Sequence, residues 1–186
     1  MNKSTQRKEA LEKRRSLTLD EREENSSIIF NTLINVLSIN NLKNVLSYVN
    51  TSDEVYTSDI NNYLEMNGIK VSYPVVLPDG RMDAYLSKDH DMKLNRFKIL
   101  EPNRSKAKKI SPQDIDVVIV PMVAFDEKMN RLGHGSGYYD KYLVKTKALK
   151  IGLAYECQKM ENIITDGNDV RMDYIITEEN VYSGND

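Results

Sequence analysis

Cysteine is almost missing. Cys157 is the one thiol in 186 residues, so the chain can build neither a disulfide framework nor a cysteine zinc site, and a reducing, cytoplasmic setting fits that usage. Long apolar runs are missing too. None approaches the roughly 18 residues a membrane helix needs, and Met1 to Glu9 holds no apolar h-region of the secretory kind. No excess of one charge is present: 26 Lys+Arg stand against 28 Asp+Glu, a formal net charge of -2. That excludes a dedicated nucleic-acid coat protein, though not local basic patches. Two histidines, His90 and His134, are too few for a metal cluster and lack ligand partners at motif spacing. No serine sits in a nucleophile-elbow motif, and Cys157 has no nearby His or basic flank to mark a nucleophile.

What remains is an ordinary globular composition, 40% hydrophobic and 29% charged, in a length that suits one domain with a real core. Lys3 to Leu17 holds no Gly or Pro and predicts a helix ending near Ser16. Thr18 precedes Glu21 by three, the capping-box spacing, so a second helix opens there and carries Ile28, Ile29, Leu33, Ile34, Val36 and Leu37. Val45–Val49 reads as a short buried strand, Ser58–Met66 as a helix closed by Gly68, and Ile69–Val76 as the next strand. Pro78-Asp79-Gly80 is a turn, with Met82–Leu86 returning as a strand. Residues 87 to 114 are polar and read as a long ordered loop, of the kind often tied to function. Val117–Val120 is apolar at every position, as a strand covered on both faces should be. A helix from Gly137 to about Lys145, then strands at Lys150–Ala154 and Asp173–Thr177, complete the alternation. The fold class is therefore α/β. One three-layer α/β/α domain over 1–186, with a mainly parallel central sheet, is expected.

Gly133-His134-Gly135-Ser136-Gly137 follows the best strand and precedes a helix. Alternating glycines allow positive φ and close approach of a ligand. Their N–H groups can then face an anion, with the positive end of the following helix behind it; the same glycines also suit a tight turn. Asp140, in that helix's first turn, is favourable there in any case, and beside a phosphate cradle it suits a Mg²⁺ ligand. Tyr138 and Tyr139 suit the core or a stack on a flat ring. Lys3, Arg7 and Arg14 stand at i, i+4 and i+11, one cationic stripe. It is a solvated face unless the helix docks over the glycine loop, where it would clamp phosphates. The run Arg104 to Lys109 faces solvent or a polyanion.

The block VPMVAFDEKMNRLGHGSGYYDKYL, Val120 to Leu143, resembles the signature of the 5-formyltetrahydrofolate cyclo-ligase (methenyltetrahydrofolate synthetase) family. Further matches run along the chain: the Lys3/Arg7 helix, Asp53-Glu54-Val55, Met82, Leu100-Glu101-Pro102, Ile151–Tyr155 and Asp173–Thr177. The resemblance implies conversion of 5-formyltetrahydrofolate to 5,10-methenyltetrahydrofolate, with ATP consumed and Mg²⁺ as cofactor. The partners it implies are two small molecules, folate and ATP, with no nucleic acid, no membrane and a monomer. It implies that Lys3 and Arg7 hold ATP phosphates, and that Arg131, Leu132, Gly133, His134, Gly135, Ser136, Gly137, Tyr138 and Tyr139 form the nucleotide loop, with Arg131 and Tyr139 catalytic. Glu54 and residues His134, Gly135, Ser136, Gly137 and Tyr138 would meet the folate, and Asp140 and Asp173 would hold the metal. The chain departs from the family pattern at Ser136, where some members carry Lys, at Val75, where a basic residue is common, and at Tyr56, where an acidic or amide residue is common. Two further readings stay open: a nucleotide- or folate-binding module without turnover, and an RNA-associated protein using the basic stretches. Asp173 also opens its strand, whereas ligands of a parallel sheet gather at the carboxyl ends. Either that strand is antiparallel or Asp173 sits on a loop over the site.

Overall fold

The structure, a computed structural model, describes residues 2–86, 91–95 and 99–184. Helix α1 (Lys3–Ser16) starts at Asn2, whose side-chain oxygen accepts the Thr5 N–H. Thr18 and Glu21 form the expected capping box in front of α2 (Leu19–Val36). Strand β1 is Asn44–Leu46, shorter than Val45–Val49; beyond it the Ser47 N–H still reaches Ser72 O at 2.9 Å, and the chain stays buried through Tyr48. Helix α3 (Ser58–Met66) has the expected bounds and is followed by Gly68 at φ +77°. Strands β2 (Lys70–Val76) and β3 (Met82–Leu86) pair antiparallel around the Pro78–Gly80 turn.

The stretch expected as a long loop carries β4 (Met92–Leu94) and β5 (Leu100–Pro102), a separate antiparallel pair, and β6 (Lys108–Ile110). Part of it, with His90, lies outside the described residues. Strand β6 is the open edge of the main sheet, where lysines discourage pairing with another chain. Within the basic run, Lys106 pairs with Asp91 and Lys109 with Asp83. Then come β7 (Val117–Pro121), the hairpin β8 (Ala124–Phe125) and β9 (Arg131–Leu132), and α4 (Tyr138–Leu143), which stops two residues short of the expected end. Strands β10 (Leu149–Leu153), β11 (Tyr174–Ile176) and β12 (Val181–Ser183) follow.

The eight-stranded sheet has the order β12-β11-β10-β7-β1-β2-β3-β6. Its five inner strands from β11 to β2 are parallel; β12, β3 and β6 are antiparallel. Alternation along β7 divides the core. Val117 and Ile119 pack with Ile29 and Leu33 of α2 and Ile60 and Leu64 of α3. Val118 and Val120 pack with Tyr142 and Leu143 of α4 and with Met122, Phe125 and Met172. This is the expected three-layer α/β/α arrangement, with the second outer layer thin: one short helix and a hairpin. Among the described residues no helix is long and apolar enough to cross a membrane.

Candidate active site

A cleft of about 1130 Å³ opens at the carboxyl ends of β1, β2 and β7. One wall is the segment Gly133–Gly137. Gly135 sits at φ +107° and Gly137 at φ +65°, conformations that side-chain-bearing residues resist. Among the described residues the N–H groups of 133–137 donate to nothing, and all five residues line the cleft, so five backbone donors stand unused beside it. An oxyanion is the natural partner for such a row. Helix α4 has six residues, so its dipole adds less than the length expected from sequence would have supplied.

Two guanidinium groups flank the row. Arg7 donates from Nε to Gly133 O at 2.7 Å, and its Cζ would lie 3.3 Å from a Cβ added at Gly135. Arg131 is buried behind the loop, 4% exposed, with Nη2 on Asp140 at 2.9 Å and Nη1 on Pro121 O at 3.3 Å; its Nε has no partner. Its Cζ stands 5.6 Å over the Tyr139 ring. The Tyr139 hydroxyl is also buried without a partner, and burial together with the Glu54 charge pushes its pKa upward, so it stays a donor. Lys3 closes the mouth, held by Asp166 at 2.7 Å and Asp169 at 2.6 Å. Desolvation works against its charge as the largest single influence, but the two carboxylates outweigh it and its pKa rises.

The other arm of the cleft is walled mainly by Tyr48, Pro74, Val76, Met82, Ile99 and Leu100, with Asn95 and Glu101 beside them. Glu54 sits in it, 8% exposed. Tyr155 donates to Glu54 O at 3.0 Å and Tyr48 to Val55 O at 3.1 Å, so the backbone under the carboxylate is fixed. Burial pushes the Glu54 pKa up as the largest influence. His134 alongside at 3.6 Å (an ion-pair distance), the Thr51 N–H at 2.8 Å and the Arg14 charge together outweigh it, and the net shift is downward.

The structure thus gathers Lys3, Arg7, Glu54, Arg131 to Tyr139 and Asp140 around one cavity. Two sequence expectations fail. Arg14 is no phosphate clamp: it shares a face with Arg7, but two turns further along the helix that face is covered, and Arg14 is 1% exposed and bonded to Asp53 and Met122 O. Asp173 does not reach the cleft either. Strand β11 is parallel, so Asp173 lies at its amino end, where it accepts the Lys150 N–H at 2.7 Å and pairs with Lys150 Nζ at 3.0 Å. Of the departures, Val75 loses its interest: its side chain is buried on the core face, while Pro74 and Val76 line the cleft. Tyr56 does not line the cleft.

Sequence reasoning missed Asp166 and Asp169, and the only signal for them was an Asp-Gly-Asn-Asp turn composition. Among the described residues no group of three or more His, Cys, Asp or Glu can hold a metal by itself. Asp140, whose Oδ1 also accepts the Val170 N–H at 3.3 Å, fits the Mg²⁺ pattern of one carboxylate completed by phosphate oxygens and water.

The profile of the 5-formyltetrahydrofolate cyclo-ligase family matches residues 1–178. The 5-formyltetrahydrofolate cyclo-ligase of Haemophilus influenzae is 34% identical over 144 residues, covering 74% of this chain and 76% of that one. That of Mycoplasma pneumoniae is 32% identical over 183 residues, covering 96% and 100%. Among solved structures, the 5,10-methenyltetrahydrofolate synthetase of Aquifex aeolicus superposes with a TM-score of 0.88 at 32% identity, covering 100% of this chain and 94% of that one. The synthetase from Mycoplasma pneumoniae superposes with a TM-score of 0.80 at 28% identity, covering 96% and 99%. A profile that spans nearly the whole chain, joined by relatives matched over most of their own length, settles the kinship: the chain belongs to the 5-formyltetrahydrofolate cyclo-ligase family.

Proposed function

We propose that the protein closes 5-formyltetrahydrofolate to 5,10-methenyltetrahydrofolate at the expense of ATP, releasing ADP and phosphate. The observation that carries this is the row of undonated N–H groups from Gly133 to Gly137 between Arg7 and Arg131, opening onto the arm that holds the buried Glu54. A triphosphate suits the first half, and a heterocycle with apolar faces and an N–H edge suits the second.

The chemistry needs both. Ring closure requires N10 to attack the formyl carbon and the formyl oxygen to depart, and hydroxide leaves poorly. In the proposed sequence the formyl oxygen attacks the γ-phosphorus and ADP departs. N10 then attacks the formyl carbon and loses its proton. Phosphate leaves as the C–N double bond forms. The protein's task is positioning and charge neutralisation.

The loop N–H groups and Arg7 hold the triphosphate in line. Arg131, dry and pre-aimed by Asp140, faces the charge that develops on the transferred group, where a low-dielectric setting makes it count for most. The Tyr139 hydroxyl, a donor without an acceptor, supplies a further hydrogen bond. Glu54, kept ionised by its neighbours, accepts from the N–H edge of the pterin and sets the ring against the loop, which residues 134–138 border. Mg²⁺ on Asp140 and the phosphates would supply charge neutralisation. In this reading the protein acts as a monomer on two small molecules, and nothing in it calls for nucleic acid or a membrane.

The test is the absorbance of the methenyl product with ATP and 5-formyltetrahydrofolate each omitted in turn. Product and ADP should both require the complete mixture. Binding of both ligands with no product would make the chain a binding module, and ADP release independent of folate would end the proposal.

A further inference from the structure

Helix α1 buries just three residues, Gln6, Ala10 and Arg14, spaced i, i+4 and i+8 along one face. Two of the three are polar, so the fully buried apolar surface of the helix is small. Ala10 and the partly buried Leu11 meet a cluster of Val123, Ala124, Leu132 and Ile163, a contact too small and smooth to fix the register alone. Directed hydrogen bonds must therefore set its register.

Gln6 makes two of them. Its Nε2 donates to Asn162 O at 2.6 Å and its Oε1 accepts the Ile164 N–H at 3.0 Å, so the side-chain amide reads an extended backbone from both sides. The residue between, Ile163, donates its N–H to Asp126 Oδ2 at 2.8 Å. Asp126 is fully buried, with no ion pair among the described residues. It accepts the Lys128 and Asn130 N–H groups and Asn130 Nδ2, each at 3.0 Å. It thereby ties residues 162–164 to the hairpin whose second strand runs into the glycine loop. A few residues on, Asp166 and Asp169 hold Lys3.

We infer that Gln6 and Asp126 are positioning residues that index α1 to the glycine loop through the backbone of residues 162–164, so that Lys3 and Arg7 reach a bound triphosphate. This rests on the proposed function for the identity of the ligand, while the seating itself does not. A slip of one residue moves the helix about 1.5 Å and turns it by about 100°. Either displacement takes the Arg7 guanidinium off Gly133 O and away from the phosphates. Neither residue touches the folate arm.

The test uses full-length Gln6→Ala and Asp126→Asn proteins, with two readouts. In steady-state kinetics the KM for ATP should rise on the order of ten- to a hundredfold, the loss typical of a misplaced binding group, while the KM for 5-formyltetrahydrofolate stays put. In hydrogen exchange without ligands, amides of the first three turns of α1 should exchange faster while those of β7 and β10 do not. The exchange readout decides the seating even if the wild-type protein proves not to use ATP, a result that would fall on the proposed function instead. Gln6→Ala removes a contact without placing a donor against a donor, so it carries the test if Asp126→Asn fails to fold. Unchanged exchange in α1, or a Gln6→Ala enzyme whose two KM values rise together, overturns the inference.

Discussion

Replacing Gly135 by alanine isolates the cradle. At φ +107° the backbone lies well outside the left-handed well near +57°, and holding an L-residue in such a region costs of order 1–3 kcal/mol. The new Cβ would lie 3.3 Å from Arg7 Cζ, closer than an ordinary carbon contact. Arg7 has little room to retreat, because its Nε is bonded to Gly133 O at 2.7 Å; losing that charge-assisted bond costs about 1.5–3 kcal/mol more. If the loop keeps its shape, the strain appears as lost folding stability. If it relaxes, the same free energy must be repaid when ATP reforms the cradle, and every 1.4 kcal/mol is about tenfold in affinity. The two measurements, calorimetric unfolding and titration with ATP and Mg²⁺, therefore have to be read together. Gly167→Ala is the control: it lines the same cleft, but its added Cβ meets nothing within 4 Å and its φ is not positive, so its effect should stay within about 0.5 kcal/mol. A Gly135→Ala protein with wild-type melting and ATP affinity would mean that the loop is not the phosphate cradle.

Arg7→Ala should weaken ATP binding and leave folate binding nearly intact; equal ATP affinity in isothermal titration would remove Arg7 from the site. Asp140→Asn should lower turnover far more than stability, since Asn keeps an acceptor for Arg131 and the unfolding cost stays at about 1–3 kcal/mol; a parallel loss of both in kinetics and urea melts would make Asp140 a structural residue. Arg14→Met should cost about 1–3 kcal/mol, because Asp53 and Met122 O lose a buried donor while Asp53 keeps Arg15 at 3.5 Å, with ATP binding per folded molecule unchanged. The folded-state pKa of Glu54 lies below its ordinary 4.5. Its stabilisation is therefore full above that value and is lost as pH falls through the folded-state value. Urea melts from about pH 6 down to about pH 3 should show a shallower acid slope for Glu54→Gln, and an identical slope would contradict the assignment.

Local features were legible because local chemistry sets them. Thr18 and Glu21 fixed the start of α2, the uniform apolar run of β7 announced a doubly covered strand, and Gly68 marked the end of α3. The glycine loop announced itself by composition, and Met82, Leu100 and Glu101, singled out by the family pattern, do line the cleft. Illegible parts depend on contacts more than a hundred residues apart. Nothing near Lys3 says that Asp166 and Asp169 hold it, and nothing near Gln6 points to residues 162–164. Spacing placed Arg14 on a stripe with Arg7, but two turns further on that face meets Asp53 and Met122 O, so one cation fronts the cleft and the other is entombed. Asp173 was misplaced for a similar reason: strand direction comes from tertiary pairing, and a parallel β11 carries its first residue away from the site.

If phosphate is handed from ATP to the formyl oxygen, that oxygen must leave as part of inorganic phosphate. A single turnover with 5-formyltetrahydrofolate labelled with ¹⁸O in the formyl group, followed by ³¹P resonance of the phosphate released, should show the label in the phosphate. Unlabelled phosphate, with the heavy oxygen found in water, would rule the transfer out.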